Sequence, residues 1–426
     1  MSKTNHISIT GVGVVTPMGL ELDTHIDGLK NGKSALQTTS TTDEDFPIYT
    51  ALVPDFDPKQ YIEDRRSIRF MTRPVLFGSV SSRLALKHAG LTKQEISADE
   101  DGNGVIYGAG VNNSVASTRA AFVPCVKSDE TIDYELLGSM GYRKLPPLWI
   151  LPRLPNTTAG QISIQNGIKG INYSCVNGVA SGMVSIGNAM YAIADQRAKR
   201  IVCGSSEWEP AVDQIHRLNE RGIASVEKSG GRPFAKDSDG LWVAEGAATL
   251  VVERADVAQE RGAKRYADIT GYTQSYLPDL EELDIQDIAQ AYEDNMLNCI
   301  IDSGLKPEDI EVVQANACGI PKLDQAEAIA IKNVFGKGAA ITATAGTIGH
   351  GLGASSSINV AYAAIQLDEG FIAPILGDGE FFENQSIDYV RHDARITNHK
   401  NVLSNCFDYF GSVCSIILQT PENKSS

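Results

Sequence analysis

Positive charge is scarce in this sequence. Lysine and arginine total 37 against 53 aspartates and glutamates, a formal net charge of −16 over 426 residues. That balance argues against a sequence-independent nucleic-acid binder and against attachment to an anionic membrane. No Cys-x-x-Cys pair occurs: the seven cysteines stand singly at 125, 175, 203, 299, 318, 406 and 414. An odd, scattered set provides neither a disulfide framework nor a zinc knuckle and points to a reducing compartment. No metal or other cofactor is expected. The opening stretch MSKTNHISITGVGVV has neither the basic lead nor the long apolar segment of a signal peptide, so a cytoplasmic protein is expected.

Long apolar runs are also wanting, with one exception to test. Residues 339–367 contain no Asp, Glu, Lys or Arg, over more than the roughly 20 residues that a membrane span needs. Gly346, Gly349, Gly351, Gly353, His350, Asn359 and a serine run interrupt it. A buried strand, a glycine loop and a buried helix fit better than a span.

What the chain does have is 42% hydrophobic residues, 21% charged residues and 39 glycines, the composition of a globular protein rich in tight turns. Apolar β-branched runs at 7–15, 104–107, 171–175, 200–203 and 247–252 predict strands, and 73–89 predicts a helix between two of them. The alternation reads as an α/β fold. Residues 182–194 and 355–367 carry no charge, so both predict helices apolar all round and buried between layers. Each follows an apolar strand and a small-residue turn, a faint repeat at roughly 170 residues that suggests two similar halves stacked through their helices. The halves are placed at 1–255 and 256–426. A charged surface helix is expected over 252–265 and a new strand at 267–271, and no proline-rich or serine-rich linker separates the halves. The tail 423–426 is expected to fray.

The order of motifs resembles the β-ketoacyl-acyl carrier protein synthases of the type II elongating class over nearly the whole chain. ITGVGVVTPMG at 9–19 is similar to their opening strand and turn, and RPFAKDSDG at 232–240 and EGAATLVVE at 245–253 are similar to their mid-chain signature. VQANACGIPKLDQAEA at 313–328 and TAGTIGHGLGAS at 344–355 fill the places of their two histidine motifs. The resemblance implies a thiolase fold, with two similar halves in five layers, α-β-α-β-α. It also implies a condensation in which a cysteine holds the acyl chain as a thioester and two histidines assist decarboxylation of a malonyl carrier protein.

Against that pattern the chemistry is missing. The stretch expected to read Cys-Thr-Ser-Gly is Val179-Ala180-Ser181-Gly182, and a valine has no lone pair with which to form a thioester. The first expected histidine is Asn316, and the lysine expected five residues before the second is Ala345; only His350 remains. Asn316 can donate a hydrogen bond but cannot carry a proton near neutral pH. Asp324 and Glu327 occupy the places of two supporting acids without the lysine they would meet. The expected gate loop reads Phe407-Asp408-Tyr409-Phe410-Gly411, with a carboxylate where a bare glycine would lie over the site. Cys175 and Cys318 are read as buried structural thiols rather than substitute nucleophiles.

These losses resemble the chain-length factors, inactive subunits that pair with an active ketosynthase in type II polyketide systems. The likeness implies a heterodimer made across the strand Ile171, Asn172, Tyr173, Ser174 and Cys175. It also implies a tunnel wall for the growing polyketide from Val111, Ser114, Ser117 and Ala121, with Trp149 as a bulky position near the dimer axis. Those small residues can equally be ordinary helix packing. A carrier protein is expected to dock on Arg65, Arg66 and Arg69, beside Arg73, unless that cluster is a solvated helix face paired with Glu63 and Asp64. The competing classes are a malonyl decarboxylase or acyltransferase acting alone and an acyl-binding module. Decarboxylating relatives carry glutamine at the position of Val179 and keep both histidines, conditions this sequence does not meet.

Overall fold

The computed structural model describes residues 7–39, 48–110, 116–145, 148–207, 212–278 and 280–422. The tail 423–426 lies outside them. Two sets of strands, each extending outward from a central joint, repeat one pattern. From Ile7–Val15 outward run Gly246–Arg254, Arg200–Glu207, Asn103–Ala109 and Asn172–Cys175, paired antiparallel, antiparallel, parallel and parallel. From Ala267–Tyr276 outward run Ser412–Gln419, Asn401–Phe407, Val312–Gln314 and Ala340–Thr342 with the same sequence of senses. The two sets join where Ile7, Ser8 and Ile9 pair with Ile269, Asp268 and Ala267, and Asp388–Tyr389 adds an edge strand beyond Ala340–Thr342.

Helices fill three layers around these strands. Ser181–Ala194 and Ser355–Glu369 pack on each other in the middle, Arg73–His88 covers the first set from outside, and Ile285–Ser303 with Pro321–Phe335 covers the second. This is the thiolase-type α-β-α-β-α arrangement expected from the sequence. The two middle helices are buried along almost their full length, as their lack of charge requires. They approach closely at Gly182, where an added Cβ would stand 2.7 Å from that of Ser357. No helix among the described residues is long and apolar enough to cross a membrane.

The charged segment 252–265 departs from expectation. Glu253 is a fully buried residue of the strand Gly246–Arg254, and the helix is confined to Ala255–Glu260. Thr10 Oγ1, Arg200 and Arg261 donate to the Glu253 carboxylate at 2.5, 2.9 and 3.1 Å. Three charge-assisted bonds offset the cost of removing that carboxylate from water, so charge in the sequence did not mean surface.

Candidate functional site

The position expected for a nucleophile stands at the start of the first middle helix. A 3-10 turn, Gly178–Ala180, leads into Ser181–Ala194, and Val179 is 1% exposed. Ser181 Oγ donates to the Gly178 carbonyl at 2.7 Å and accepts from the Asn177 amide at 2.8 Å, which fixes the turn. The Val179 carbonyl accepts from Ser356 Oγ at 2.7 Å. Its side chain offers only methyl groups, so this helix start presents an apolar surface without an ionisable atom.

The second group of residues comes from the other half. Asn316 follows Val312–Gln314, and its Nδ2 donates to the Phe407 carbonyl at 3.3 Å and to Tyr292 Oη at 3.4 Å. Glu327 accepts from the amides of Asn316 and Ala317 at 3.0 and 2.8 Å and from Asn405 Nδ2 at 3.1 Å. Asp324 accepts from the amides of Cys318, Gly319 and Phe234 at 3.0, 2.8 and 2.9 Å. Burial pushes Asp324 up to about 6 and Glu327 up to about 7, with these amide donors pulling the other way. The two acids thus hold the backbone of the 316–319 loop.

Ala345 lies buried in the short helix Ala345–Ile348. His350 is held through its backbone, its amide donating to the Trp242 carbonyl at 2.8 Å and its carbonyl accepting from the Ala244 amide at 2.9 Å. Its ring is buried, Nδ1 has no hydrogen-bond partner among the described residues, and burial lowers its pKa to about 4. The imidazole is neutral at physiological pH.

The expected gate loop links both groups. Phe407 ends the strand Asn401–Phe407, and Asp408 to Gly411 form a turn closed by the Gly411 amide on the Asp408 carbonyl at 2.7 Å. Asp408 is 2% exposed and its carboxyl sits over the Gly178 backbone, where a Cβ on Gly178 would lie 2.8 Å from Asp408 Cγ. Burial pushes Asp408 up to about 7, while the backbone amides of Phe410 and Val179 pull it back. Tyr409 lies beside Asp408, and Arg221 stacks on the Phe410 ring at 5.2 Å.

Glu207, at the end of Arg200–Glu207, was not singled out by sequence reasoning. Its Oε2 would stand 2.5 Å from a Cβ on Gly353 and would overlap one on Gly110, and burial pushes it up to about 8. Nothing local marks it, because the two glycines that admit it are distant in sequence. Among the described residues no group of His, Cys, Asp and Glu has the arrangement to hold a metal ion.

The remaining expected residues fall elsewhere. Asn172–Cys175 is the edge strand of its set, beside Ile171, with Asn172 and Tyr173 exposed and Ser174 half-buried. Tyr173 is 37% exposed, Val176 42% and Ile164 62%, so apolar surface flanks the edge. The Cys175 thiol is buried and accepts from Asn188 Nδ2 at 3.6 Å; burial pushes its pKa up, as it does more strongly for Cys318. Both thiols are suppressed nucleophiles. Val111 and Ser114 lie outside the described residues, and Ser117 belongs to the helix Ala116–Phe122. Ala121 is fully buried, its carbonyl accepting from Cys125 Sγ at 3.3 Å. Trp149 is half-buried, with the Arg153 guanidinium 5.6 Å from its ring.

Arg65 and Arg66 are exposed on a turn, and Arg69 is exposed on the short 3-10 helix Ile68–Phe70. The acids expected to neutralise them are engaged elsewhere: Glu63 pairs with Arg83 at 2.9 Å and Lys93 at 3.1 Å, and Asp64 accepts from the Arg66 amide at 3.1 Å. Arg73 pairs with buried Glu245 at 2.5 Å and so leaves the cluster.

The families described as β-ketoacyl synthase, N-terminal domain, and β-ketoacyl synthase, C-terminal domain, match residues 4–258 and 279–377. The 3-oxoacyl-(acyl-carrier-protein) synthase 2 of Coxiella burnetii is 30% identical, covering 97% of this chain and 98% of that protein. A β-ketoacyl synthase from Burkholderia phymatum superposes with a TM-score of 0.84 at 27% identity, covering 98% of this chain and 100% of the other. The ishigamide ketosynthase/chain length factor shares the fold with a TM-score of 0.82 at 21% identity, over 98% and 100% of the two chains.

Proposed function

The chain belongs to the β-ketoacyl synthase family, and we propose that within it this protein is a non-catalytic subunit of the chain-length-factor kind. It pairs with an active ketosynthase and shapes part of the tunnel that receives the growing polyketide. One observation carries this reading: a buried valine, Val179, stands at the helix start where the nucleophile belongs. The curated relatives are named as 3-oxoacyl-acyl-carrier-protein synthases, but their thioester chemistry needs a sulfur that position 179 does not supply. The neutral His350, with Nδ1 unpartnered among the described residues, and the structural use of Asn316 and its two acids support the same conclusion.

The partner is an active ketosynthase seated on the edge strand Asn172–Cys175. An unpaired edge flanked by exposed Tyr173, Val176 and Ile164 favours a second sheet edge and apolar cover. Val111, Ser114, Ser117 and Trp149 face the shared tunnel in this proposal, and the exposed Arg65, Arg66 and Arg69 receive the acidic carrier protein. The chain is divided into ketosynthase-like halves at 1–255 and 256–426.

Co-expression with an active ketosynthase tests the proposal. A 1:1 complex whose product mass changes when this subunit is exchanged is expected. A stable, soluble monomer at micromolar concentration, or an acyl adduct mapped to any cysteine of this chain, overturns it.

A further inference from the structure

A backbone amide at the start of a helix, beside the position of a nucleophile, is where the carbonyl oxygen of a bound acyl group gains most from hydrogen bonding, because the donor is preorganised and shielded from water. In this chain that donor is the amide of Val179, and a carboxyl is packed against the backbone that carries it: a Cβ on Gly178 would overlap Asp408 Oδ2. The amides of Phe410 and Val179 draw the pKa of that carboxyl down against the effect of burial.

Three features build the arrangement. Gly178 has φ +56°, and a Cβ there would overlap Asp408 Oδ2, so only glycine at 178 admits the carboxyl. The turn that carries Asp408 is pinned at both ends, by the Asp408 amide on the Ser412 carbonyl at 2.8 Å and by the Gly411 amide on the Asp408 carbonyl at 2.7 Å. Asp408 is also almost fully buried, at 2% exposure, and its Oδ1 has no hydrogen-bond partner among the described residues. A turn needs no such carboxyl, and leaving a buried oxygen unpaired is costly.

We propose that Asp408 is an internal plug: its carboxyl group occupies the amide pocket at Val179 in place of an acyl carbonyl and keeps acyl groups away from this helix start. The inference rests on the reading of position 179 as the place of the lost nucleophile. It goes beyond that reading by making exclusion an active property of the gate loop. Loss of sulfur prevents a thioester; the plug also denies the pocket to a thioester carried by another protein.

A thiol introduced by Val179→Cys in the full chain reports access to the pocket, with iodoacetamide as the probe and peptide mapping separating position 179 from the seven native cysteines, all of which are buried. Alkylation is expected to be at least about tenfold faster in Val179→Cys/Asp408→Gly than in Val179→Cys alone, because protection then no longer depends on loop opening. Val179→Cys/Asp408→Asn keeps the volume and is expected to stay slow. Equal rates in the single variant and the Asp408→Gly double variant overturn the plug. So does rapid alkylation with Asp408→Asn, which would assign the protection to charge. Should the double variants not fold, hydrogen exchange of the Val179 amide decides: faster exchange in Asp408→Ser is expected, and exchange unchanged from the native chain overturns the proposal. These readouts follow this chain by itself or within a complex and need no turnover, so they can fail while the pairing proposal stands, and the reverse.

Discussion

Ser356 ties the second middle helix to Val179. Its hydroxyl donates to the Val179 carbonyl at 2.7 Å and accepts from the Met183 amide at 3.1 Å, so one side chain from the second half closes two backbone groups at the helix start of the first. Ser356→Ala leaves both groups buried without that partner. A loss of about 1–3 kcal/mol is expected, read as a lower denaturant midpoint with an unchanged slope. A change within error would show that the helices are held by packing alone.

Supplying sulfur at position 179 is not expected to give condensation. Val179→Cys supplies the nucleophile, but Asn316 remains hydrogen-bonded to the Phe407 carbonyl and Ala345 has no proton to give. No condensation product is expected from the purified variant with acyl and malonyl carrier proteins, by product mass analysis. Turnover above that of the unmodified chain would refute the account of Asn316 and Ala345.

Much of this was legible beforehand. The strand Ile7–Val15 was read to the residue because nine consecutive positions are uncharged and bounded by turn signals, and the middle helices because an uncharged helix has to be buried. The valine at position 179, where the resemblance expects a nucleophile, was legible as one letter in a motif. The contact between Asp408 and Gly178 was not, since it joins residues 230 apart and depends on a positive φ that glycine permits in many settings. Glu253 misled for the opposite reason: its neutralising arginines, Arg200 and Arg261, lie on other elements. Asp324 and Glu327 looked like acids without a partner because backbone amides have no letter in the sequence.

Stability should fall as pH rises from about 6.5 to about 8. In the fold burial pushes Glu327 and Asp408 up to about 7 and Glu207 up to about 8, from ordinary values of 4.5, 3.8 and 4.5. Across this window the unfolded chain has already lost these protons while the native state still releases them, so the slope is negative. His25 and His350, lowered to about 4 from 6.5, act in the opposite direction, but only between about pH 4 and 6.5. Thermal midpoints at pH 6.5 and 8 check the sign, and Glu327→Gln or Asp408→Asn should flatten the decline. A midpoint that rises across this window contradicts the burial of these acids.

Tyr173 tests the interface. It projects from an edge strand and is 37% exposed, so Tyr173→Glu places charge where the proposed partner must bury apolar area, at little cost to the separate chain. Loss of co-purification with the ketosynthase is expected, with an unchanged circular dichroism spectrum. Retention of a full 1:1 complex would move the interface away from this strand.

The proposed tunnel wall makes different demands on its members. Ser114 and Ser117 are three positions apart, a spacing that on a helix brings side chains to one face. If that face lines the tunnel, a phenylalanine obstructs only the growing chain, and Ser114→Phe or Ser117→Phe shortens the product while the complex still assembles and condenses. Ala121 is a different case. It is fully buried and lies beneath Gly141, whose added Cβ would stand 2.8 Å from the Ala121 carbonyl oxygen. Ala121→Phe therefore overpacks the subunit itself, at about 1–3 kcal/mol, and should lower its melting temperature. Product mass profiles and melting curves of the three assembled variants separate volume in the tunnel from volume in the core. Unchanged chain lengths for both serine variants would remove the measuring role from this segment, and a shortened product with undiminished stability for Ala121→Phe would place Ala121 back on the wall.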